Sequence, residues 1–484
     1  MSVTASPAQT VPRPSPPSAR LDVEASCRLP LLALFSGGVL WLFLGLLFAL
    51  IASLKFHDPH FLASEPYWTY GRIHAAHRTA LLYGFGVPAA LGVGLWLLCR
   101  LGRAPLAGPG VVLVGTIFWN VAVAFGLIAI LCGDGTGFES FEMPAYVTLM
   151  LFVAYLMIAV CGVLTFHGRT ERKLYPSQWF VLGSFFWFPW IFSTASMLLL
   201  CMPVRGVLQS SVAWWYAHNF SVIFLGFAGL APIFYFIPKL LGRPLHSYYL
   251  AALAFWTLAL FGSWGGIPGG APLPAWIVSM GVVGTVLTTV PLLAVALNFY
   301  QTVYRDLDAL DNHLTLRFTY VGLVFWLLAG VQQIVGVLPN VSALTDYTWF
   351  SVAHWELFHY GFFAFAMFGA IYYIVPRLFG RVDPLPWVPG LVKCHFWLTF
   401  GGILISYLAL LVGGVGQGVL LNDPNYSFAQ VMLGTLMPLR ISTLGDLSIV
   451  VGTIFFLLNF ALLLLRWGFR CWIENSAGTR KERA

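Results

Sequence analysis

Three ionisable side chains lie close together in an apolar stretch, residues 346–376, that is long enough to cross a bilayer. They are His354, Glu356 and His359, near the start of the stretch. Ionisable groups are costly inside a membrane, so they usually face a cavity, a partner or a cofactor. The alternative is that these three lie at headgroup level and point toward water. Other histidines at the same predicted depth favour a site within the membrane.

Four histidines are predicted at one depth, on three helices that are far apart in sequence. His77 opens the second predicted span, and His218 lies in the first turns of the sixth. His354 and His359 lie in the first half of the tenth. Neutral imidazole is a standard ligand for haem iron and copper and suits a low-dielectric site. The pattern predicts a metal or haem site, although any one of these histidines alone could be a hydrogen-bonded core residue.

The elements that must position these residues are membrane helices. Hydrophobic residues make up 59% of the 484 and charged residues 9%, which excludes an ordinary soluble protein. Lipid admits only helices or closed barrels, and the apolar runs are too long for strands. The sequence therefore predicts an all-α fold, a polytopic membrane helical bundle of twelve transmembrane helices. The predicted spans are 30–53, 75–101, 110–132, 144–166, 178–201, 212–238, 248–265, 275–300, 315–338, 349–375, 391–415 and 443–466.

Positive charge sets the predicted orientation. Twenty of the 25 Lys and Arg residues fall on one side of the membrane when alternate loops and tails are counted. The positive-inside rule places that side in the cytoplasm, so we expect both termini to be cytoplasmic and the chain to be multi-pass in the cell inner membrane. The net charge of +7 follows from this topology and predicts contact with the lipid bilayer and no nucleic-acid partner.

Two tails flank one predicted domain, residues 30–466. Residues 1–29 are rich in Pro, Ser and Ala and have no apolar segment of their own, which predicts a disordered cytoplasmic tail. Residues 467–484 form a basic cytoplasmic tail suited to anionic lipid heads. The seven cysteines are scattered without a CxxC or CxxCH, so neither a thiol redox motif nor covalent c-type haem is predicted.

A long loop is predicted at 421–442, between the eleventh and twelfth spans, and it contains Arg440 near its end. An arginine at the membrane face can anchor the helix that follows. If a haem lies at this depth, Arg440 could instead pair with a haem propionate.

With these residues assembled, the chain resembles the catalytic subunit I of haem–copper oxidases, in particular the C-type (cbb-type) branch. The resemblance spans 30–466 and rests on YWTYGRIHAAHRTALLYGFG, WWYAHNFSVIFLGFAGLAPIFYFIPK, GAIYYIVPRLFG, and HFW followed by GVGQG. It implies a haem protein of a respiratory electron-transfer complex, with cytochrome-bearing or other respiratory subunits as partners. A c-type cytochrome donor would have to be a separate chain, because CxxCH is absent.

The resemblance implies roles for individual histidines. His77 resembles the low-spin haem ligand, His354 the high-spin haem ligand, and His218 the first copper ligand. The family has His-x-His in the tenth span, whereas Glu356 takes the second position here, so one low-spin ligand is missing in register. A shift of three residues would match His359, but it requires a bulge in the helix, and we prefer the unshifted register. Glu356 or His359 could still serve as a sixth ligand.

The predicted copper site departs further from the family. Its seventh span ends in a Tyr–Trp–Gly–Pro–His–His pattern that supplies a tyrosine and two copper ligands. Here Gly262 replaces the tyrosine, and Pro268 and Gly269 lie near the paired histidines. Gln332 replaces a family glutamate. A single imidazole, His218, does not give copper the affinity and geometry that the chemistry needs, so we expect one or two b-type haems and no copper.

Three functions remain open from the sequence. We favour a subunit I-like haem protein that binds b-type haem and has an incomplete copper site. An active terminal oxidase that reduces oxygen with proton translocation is favoured by the global resemblance, but two of three copper ligands and the tyrosine are absent, which leaves enzymatic activity open. A haem-free structural or assembly subunit is the third. Haem content, metal content and oxygen turnover distinguish them.

Overall fold

The computed structural model describes residues 17–306, 308–379 and 386–481, and helices form nearly all of these ranges. No strand occurs among the described residues, which confirms the predicted all-α fold. Backbone polar groups cannot bond to lipid, so long apolar runs satisfy them within helices. We number the long helices α1 Pro17–Leu54, α2 Tyr70–Gly102, α3 Pro109–Cys132, α4 Ala145–His167, α5 Pro176–Cys201, α6 Val207–Leu241, α7 Tyr248–Gly262, α8 Ala275–Val303, α9 Leu314–Gly336, α10 Trp349–Phe379, α11 Pro389–Leu421 and α12 Phe428–Lys481.

Eleven of these helices are long and apolar enough to cross a membrane, so the protein is a multi-pass membrane protein. The remaining predicted span, the seventh at 248–265, corresponds to α7, which has 15 residues. At about 1.5 Å per residue it rises about 22 Å, less than the roughly 30 Å hydrocarbon core. Twelve crossings and cytoplasmic termini therefore stay predictions.

Two helices begin well before their predicted spans. Helix α12 begins at Phe428, so most of the loop predicted at 421–442 is helical. Leucine and methionine are frequent in this stretch, and both are strong helix formers. Helix α1 begins at Pro17, inside the segment predicted to be a disordered tail. Val23, Cys27 and Leu31 are buried at four-residue intervals, and their packing extends the helix. Residues 1–16 and 482–484 of the predicted tails lie outside the described residues.

The three helices that carry the candidate histidines are the innermost ones. The 18 consecutive residues with the highest mean hydropathy differ in burial from one helix to the next. These residues are wholly buried in α2 and in α6 and 89% buried in α10, whereas at most half of them are buried in the other spans. The surrounding helices therefore separate the candidate site from lipid.

Four of the helices contain π-helical segments, at Ala80–Gly86, Ser196–Cys201, Asn219–Leu225 and Leu357–Ala364. Such segments are rare in proteins as a whole, but those that occur are often at functional sites. Those of α2, α6 and α10 begin within three residues after a predicted site residue. The wider turns thus cluster around the candidate site.

Helices α11 and α12 cross in close contact at two glycines. A Cβ on Gly402 would lie 2.7 Å from the Gly445 carbonyl oxygen, and a Cβ on Gly445 would lie 2.5 Å from the Gly402 carbonyl oxygen. Small residues of this kind let membrane helices approach closely.

We predict that Gly402→Val destabilises the protein by about 1–3 kcal/mol, because the side chain forces the two backbones apart. Gly401→Val is the matched control, since no described atom lies within 4 Å of a Cβ at Gly401. Melting temperatures in detergent, followed by the loss of monodisperse protein, measure the difference. Equal melting temperatures of the two variants would contradict the close crossing.

Candidate functional site

A cavity of about 490 Å³ lies at the N-terminal ends of α2, α6 and α10. Its volume is in the range of roughly 300–1,000 Å³ that is typical of ligand sites. Five of the six predicted site residues line it, namely His77, His218, His354, Glu356 and His359. The structure therefore brings together side chains that are up to 282 positions apart in sequence, as their common predicted depth indicated.

His77 is held in one orientation by the backbone of α1. Its Nδ1 donates a hydrogen bond to the Gly45 carbonyl oxygen at 3.0 Å, which assigns the proton to Nδ1 and leaves a lone pair on Nε2. Histidines that bind metals are oriented by the same kind of bond. The ring lies nearly parallel to that of Tyr360, with centroids 6.3 Å apart.

His354 is 7% exposed, and neither of its ring nitrogens makes a well-formed hydrogen bond within the described ranges, while the backbone of Ala329 in α9 interacts with the ring. Buried polar atoms are nearly always paired, so an imidazole of this kind that lines a cavity suits a ligand or a water molecule. Gln332, which the resemblance aligns with a family glutamate, also lines the cavity. Its Nε2 donates to the Phe350 carbonyl at 3.1 Å, and its buried Oε1 is likewise unpaired within the described ranges.

His359 has partners of its own. Its Nε2 lies 2.9 Å from the Ser221 hydroxyl of α6, and its ring stacks on Trp355 with centroids 5.6 Å apart. His359 belongs to the π-helical segment of α10, whose turns close between residues five apart. His354 and His359 are five apart, and both reach the cavity. The shifted register requires a bulge in the helix, and the structure has a π-helical segment at this point, so the choice between the two registers stays a prediction.

His218 is bonded to the end of α7. Its Nε2 lies 2.8 Å from the Gly262 carbonyl oxygen and therefore donates to it. Gly262, which the resemblance aligns with the family tyrosine, thus supplies a backbone acceptor. Within the described ranges, no group of three or more His, Cys, Asp or Glu side chains is arranged to hold a metal ion.

Glu356 faces a second carboxylate. It interacts electrostatically with Asp446 of α12, and Asp446 accepts a hydrogen bond from the Ser53 hydroxyl of α1. Asp446 is an acidic residue within a predicted span, and this signal could have placed it with the candidate residues. Glu356 therefore lines the cavity and also interacts with Asp446, which lies at the contact between α1 and α12.

Arg78 is the arginine at the cavity. It donates from Nη1 to Glu139 at 2.7 Å and from Nη2 to the Ser140 hydroxyl at 2.8 Å, and its Nε lies 3.7 Å from Glu142. These contacts hold the loop between α3 and α4 against α2. Arg440 instead donates to the Phe56 carbonyl at 3.0 Å and is not among the described residues that line the cavity.

The chain matches the family model "Cytochrome C and Quinol oxidase polypeptide I" over residues 30–448. The protein belongs to this oxidase subunit I family. It is 28% identical to "Cytochrome c oxidase subunit 1 homolog" of Agrobacterium tumefaciens (strain T37), over 88% of this chain and 82% of that relative. It is 26% identical to "Cbb3-type cytochrome c oxidase subunit CcoN1" of Stutzerimonas stutzeri, over 81% of this chain and 85% of that relative. The match confirms the resemblance to the cbb-type branch.

Sequence reasoning on this oxidase subunit I homologue missed two further residues at the cavity. His74 lies one turn before His77 on the same face of α2 and stacks on Tyr70 with centroids 5.5 Å apart. Arg78 follows His77 directly. Both stand in the RIHAAHR phrase, so the three-residue spacing and the adjacent charge were visible signals.

The two loop carboxyl groups beside Arg78 have pKa values that are shifted in opposite directions, for different reasons. The Arg78 guanidinium lowers the pKa of Glu139 below its ordinary value of 4.5. Burial raises the pKa of Glu142, against the opposing effect of Arg78. The Glu139 contribution to stability is therefore present above its ordinary pKa and is lost as pH falls through the lowered value.

We predict that Glu139→Gln lowers the melting temperature at pH 7 and that its difference from wild type shrinks as pH falls below 4.5. The contribution of Glu142 to stability changes with pH in the opposite direction, but it is present in both the wild type and the Glu139→Gln variant. Glu65→Gln, in an exposed part of the loop between α1 and α2, controls for the loss of one charge. A difference that does not change with pH would contradict the ion pair.

Proposed function

We propose that the protein is a subunit I-like component of a respiratory electron-transfer complex that binds b-type haem in the cavity and has an incomplete copper site. The observation that carries the proposal is the buried imidazole of His354, which makes no well-formed hydrogen bond in the described structure, in a cavity shared with His77 and His359.

His77 and His354 would hold the haem iron. His77 offers the lone pair of Nε2 while its Nδ1–H is fixed on Gly45, which keeps the tautomer that a metal requires. His354 offers a ring that makes no well-formed hydrogen bond in the described structure. A bound haem would supply one-electron redox chemistry and the capacity to bind a diatomic gas.

The remaining residues shape the environment of the cavity. Ser221 and Trp355 fix the ring of His359 through a hydrogen bond and a stacked contact, whereas His354 packs edge-on against Trp355 and makes no well-formed side-chain hydrogen bond in the described structure. Arg78 places a positive charge at the cavity, suited to a propionate, while Glu139 and Glu142 balance that charge.

The residues present do not fit a copper ion. His218 is the single imidazole that the resemblance assigns to copper, and the loop after Gly262 is rich in Gly and Pro and contains no His, Cys, Asp or Glu. Copper in proteins is held by several nitrogen or sulfur ligands. We therefore propose that oxygen reduction at a haem–copper pair is not the function.

The proposal includes a location and partners. Twelve crossings with both termini in the cytoplasm would place the chain in the inner membrane, supported by the distribution of Lys and Arg. Cytochrome-bearing subunits would be separate chains, because the sequence has no CxxCH.

We predict that His354→Ala removes more haem than His359→Ala, because His354 makes no well-formed hydrogen bond in the described structure whereas the Nε2 of His359 is hydrogen-bonded to Ser221. Pyridine haemochrome quantification of the purified chain measures this, with one or two b haems expected in the wild type. His395→Ala is the matched control, since His395 is a buried histidine bonded to Tyr372 and is not among the cavity-lining residues described.

The opposite ranking would assign the iron to His359 and favour the shifted register. Absence of haem from a well-folded preparation would instead support the haem-free assembly alternative.

We also predict less than one copper per chain in the purified protein, because one imidazole does not retain the ion. Elemental analysis after dialysis against a chelator measures the content, with the haem content of the same sample as internal reference. Stoichiometric copper together with oxygen turnover would contradict the proposal and restore the terminal-oxidase alternative.

A further inference from the structure

The loop between α7 and α8, residues 263–274, lies directly on the ring of His218. A Cβ on Gly265 would lie 2.6 Å from His218 Cε1 and Nε2, and a Cβ on Gly266 would lie 2.3 Å from His218 Cβ. Gly266 also has a φ of +95°, which disfavours other residues. Only glycine lets the backbone pass this close to the imidazole.

Three side chains fasten this loop and the α7 end that leads into it. The His218 Nε2 donates to the Gly262 carbonyl at 2.8 Å, and the Asn219 Nδ2 donates to the Ser263 carbonyl at 3.1 Å. At the far end, the Gly269 amide donates to Asp346 at 3.3 Å. The loop is therefore tied to α6 and to the segment before α10.

The fastened loop forms one wall of the cavity. Gly266, Ile267 and Pro268 line the cavity together with His218. With Nε2 bonded to the backbone, His218 has one remaining ring nitrogen, Nδ1. The segment that carries two copper ligands in the resembling family is here a glycine loop packed on that ring.

We propose that His218 is a positioning residue, whose Nε2–H anchors the 263–274 loop as a wall of the cavity, and that backbone occupies the place of a second metal ion. The anchor needs a donor at the Nε2 position only. A metal ligand would instead need the lone pair of Nδ1. The two roles can be separated, and neither depends on haem being bound.

The reporter is Ala271→Cys, a buried small residue in the loop, in a full-length chain whose exposed native cysteines are replaced by serine. The labelling rate with a water-soluble maleimide reports how often the loop opens. Gly270→Cys, an exposed neighbour with no described atom within 4 Å of its Cβ, is the reference for reagent access.

The decisive comparison uses two amides at position 218. The amide of His218→Gln reaches the Nε2 position and can donate to Gly262, whereas that of His218→Asn reaches only the Nδ1 position. We expect His218→Gln to label within about twofold of wild type, and His218→Asn and His218→Ala to label several-fold faster, as loss of a hydrogen bond worth about 0.5–1.5 kcal/mol implies. Chelator should leave the wild-type rate unchanged.

Gly265→Ala tests the anchor from the side of the loop, with His218 intact. Its Cβ should displace the loop and speed labelling, whereas Gly270→Ala in the same reporter chain should not. If every variant at position 218 is labelled as slowly as the wild type, the proposed anchoring role of His218 is wrong. Fast labelling of His218→Gln would overturn it too, and faster wild-type labelling after chelation would assign a metal to His218.

Discussion

An imidazole inside a bilayer loses its hydrogen bonds to water, and the protein must replace them or use the ring as a ligand. His77, His218 and His359 have replacements, from Gly45, Gly262 and Ser221 respectively. His354 makes no well-formed hydrogen bond among the described residues, and the backbone of Ala329 interacts with its ring. The proposed haem site rests on this weak pairing of His354 and on the free Nε2 of His77.

Two features of the fold allow these imidazoles to be placed inside the membrane. Helices α2, α6 and α10 are enclosed by the others, so polar groups can gather without facing lipid. Within them, π-helical segments next to His77, His218 and Glu356 widen the turns and reorient the side chains that follow. In α10 the π-helical segment brings both His354 and His359 to one cavity. In a regular helix, two residues five positions apart would lie on different faces.

The sequence predicted the all-α fold, eleven of the membrane helices and the convergence of four histidines, because apolar length and depth in the membrane are readable from one chain. It did not reveal the π-helical segment at His359, since π turns have no side-chain signature. It named Arg440 as a helix anchor or a propionate partner and did not name Arg78, although Arg78 directly follows His77 in the sequence. Backbone acceptors such as Gly45 and Gly262 depend on helix contacts that no local pattern specifies.

A cryo-EM map of the purified protein at a resolution that shows side chains tests the central claim most directly. The account predicts planar density of porphyrin size in the cavity, continuous with the imidazole of His354, and protein backbone of the 263–274 loop over His218. A cavity that holds only water or lipid, with His354 bonded to the chain itself, would contradict it.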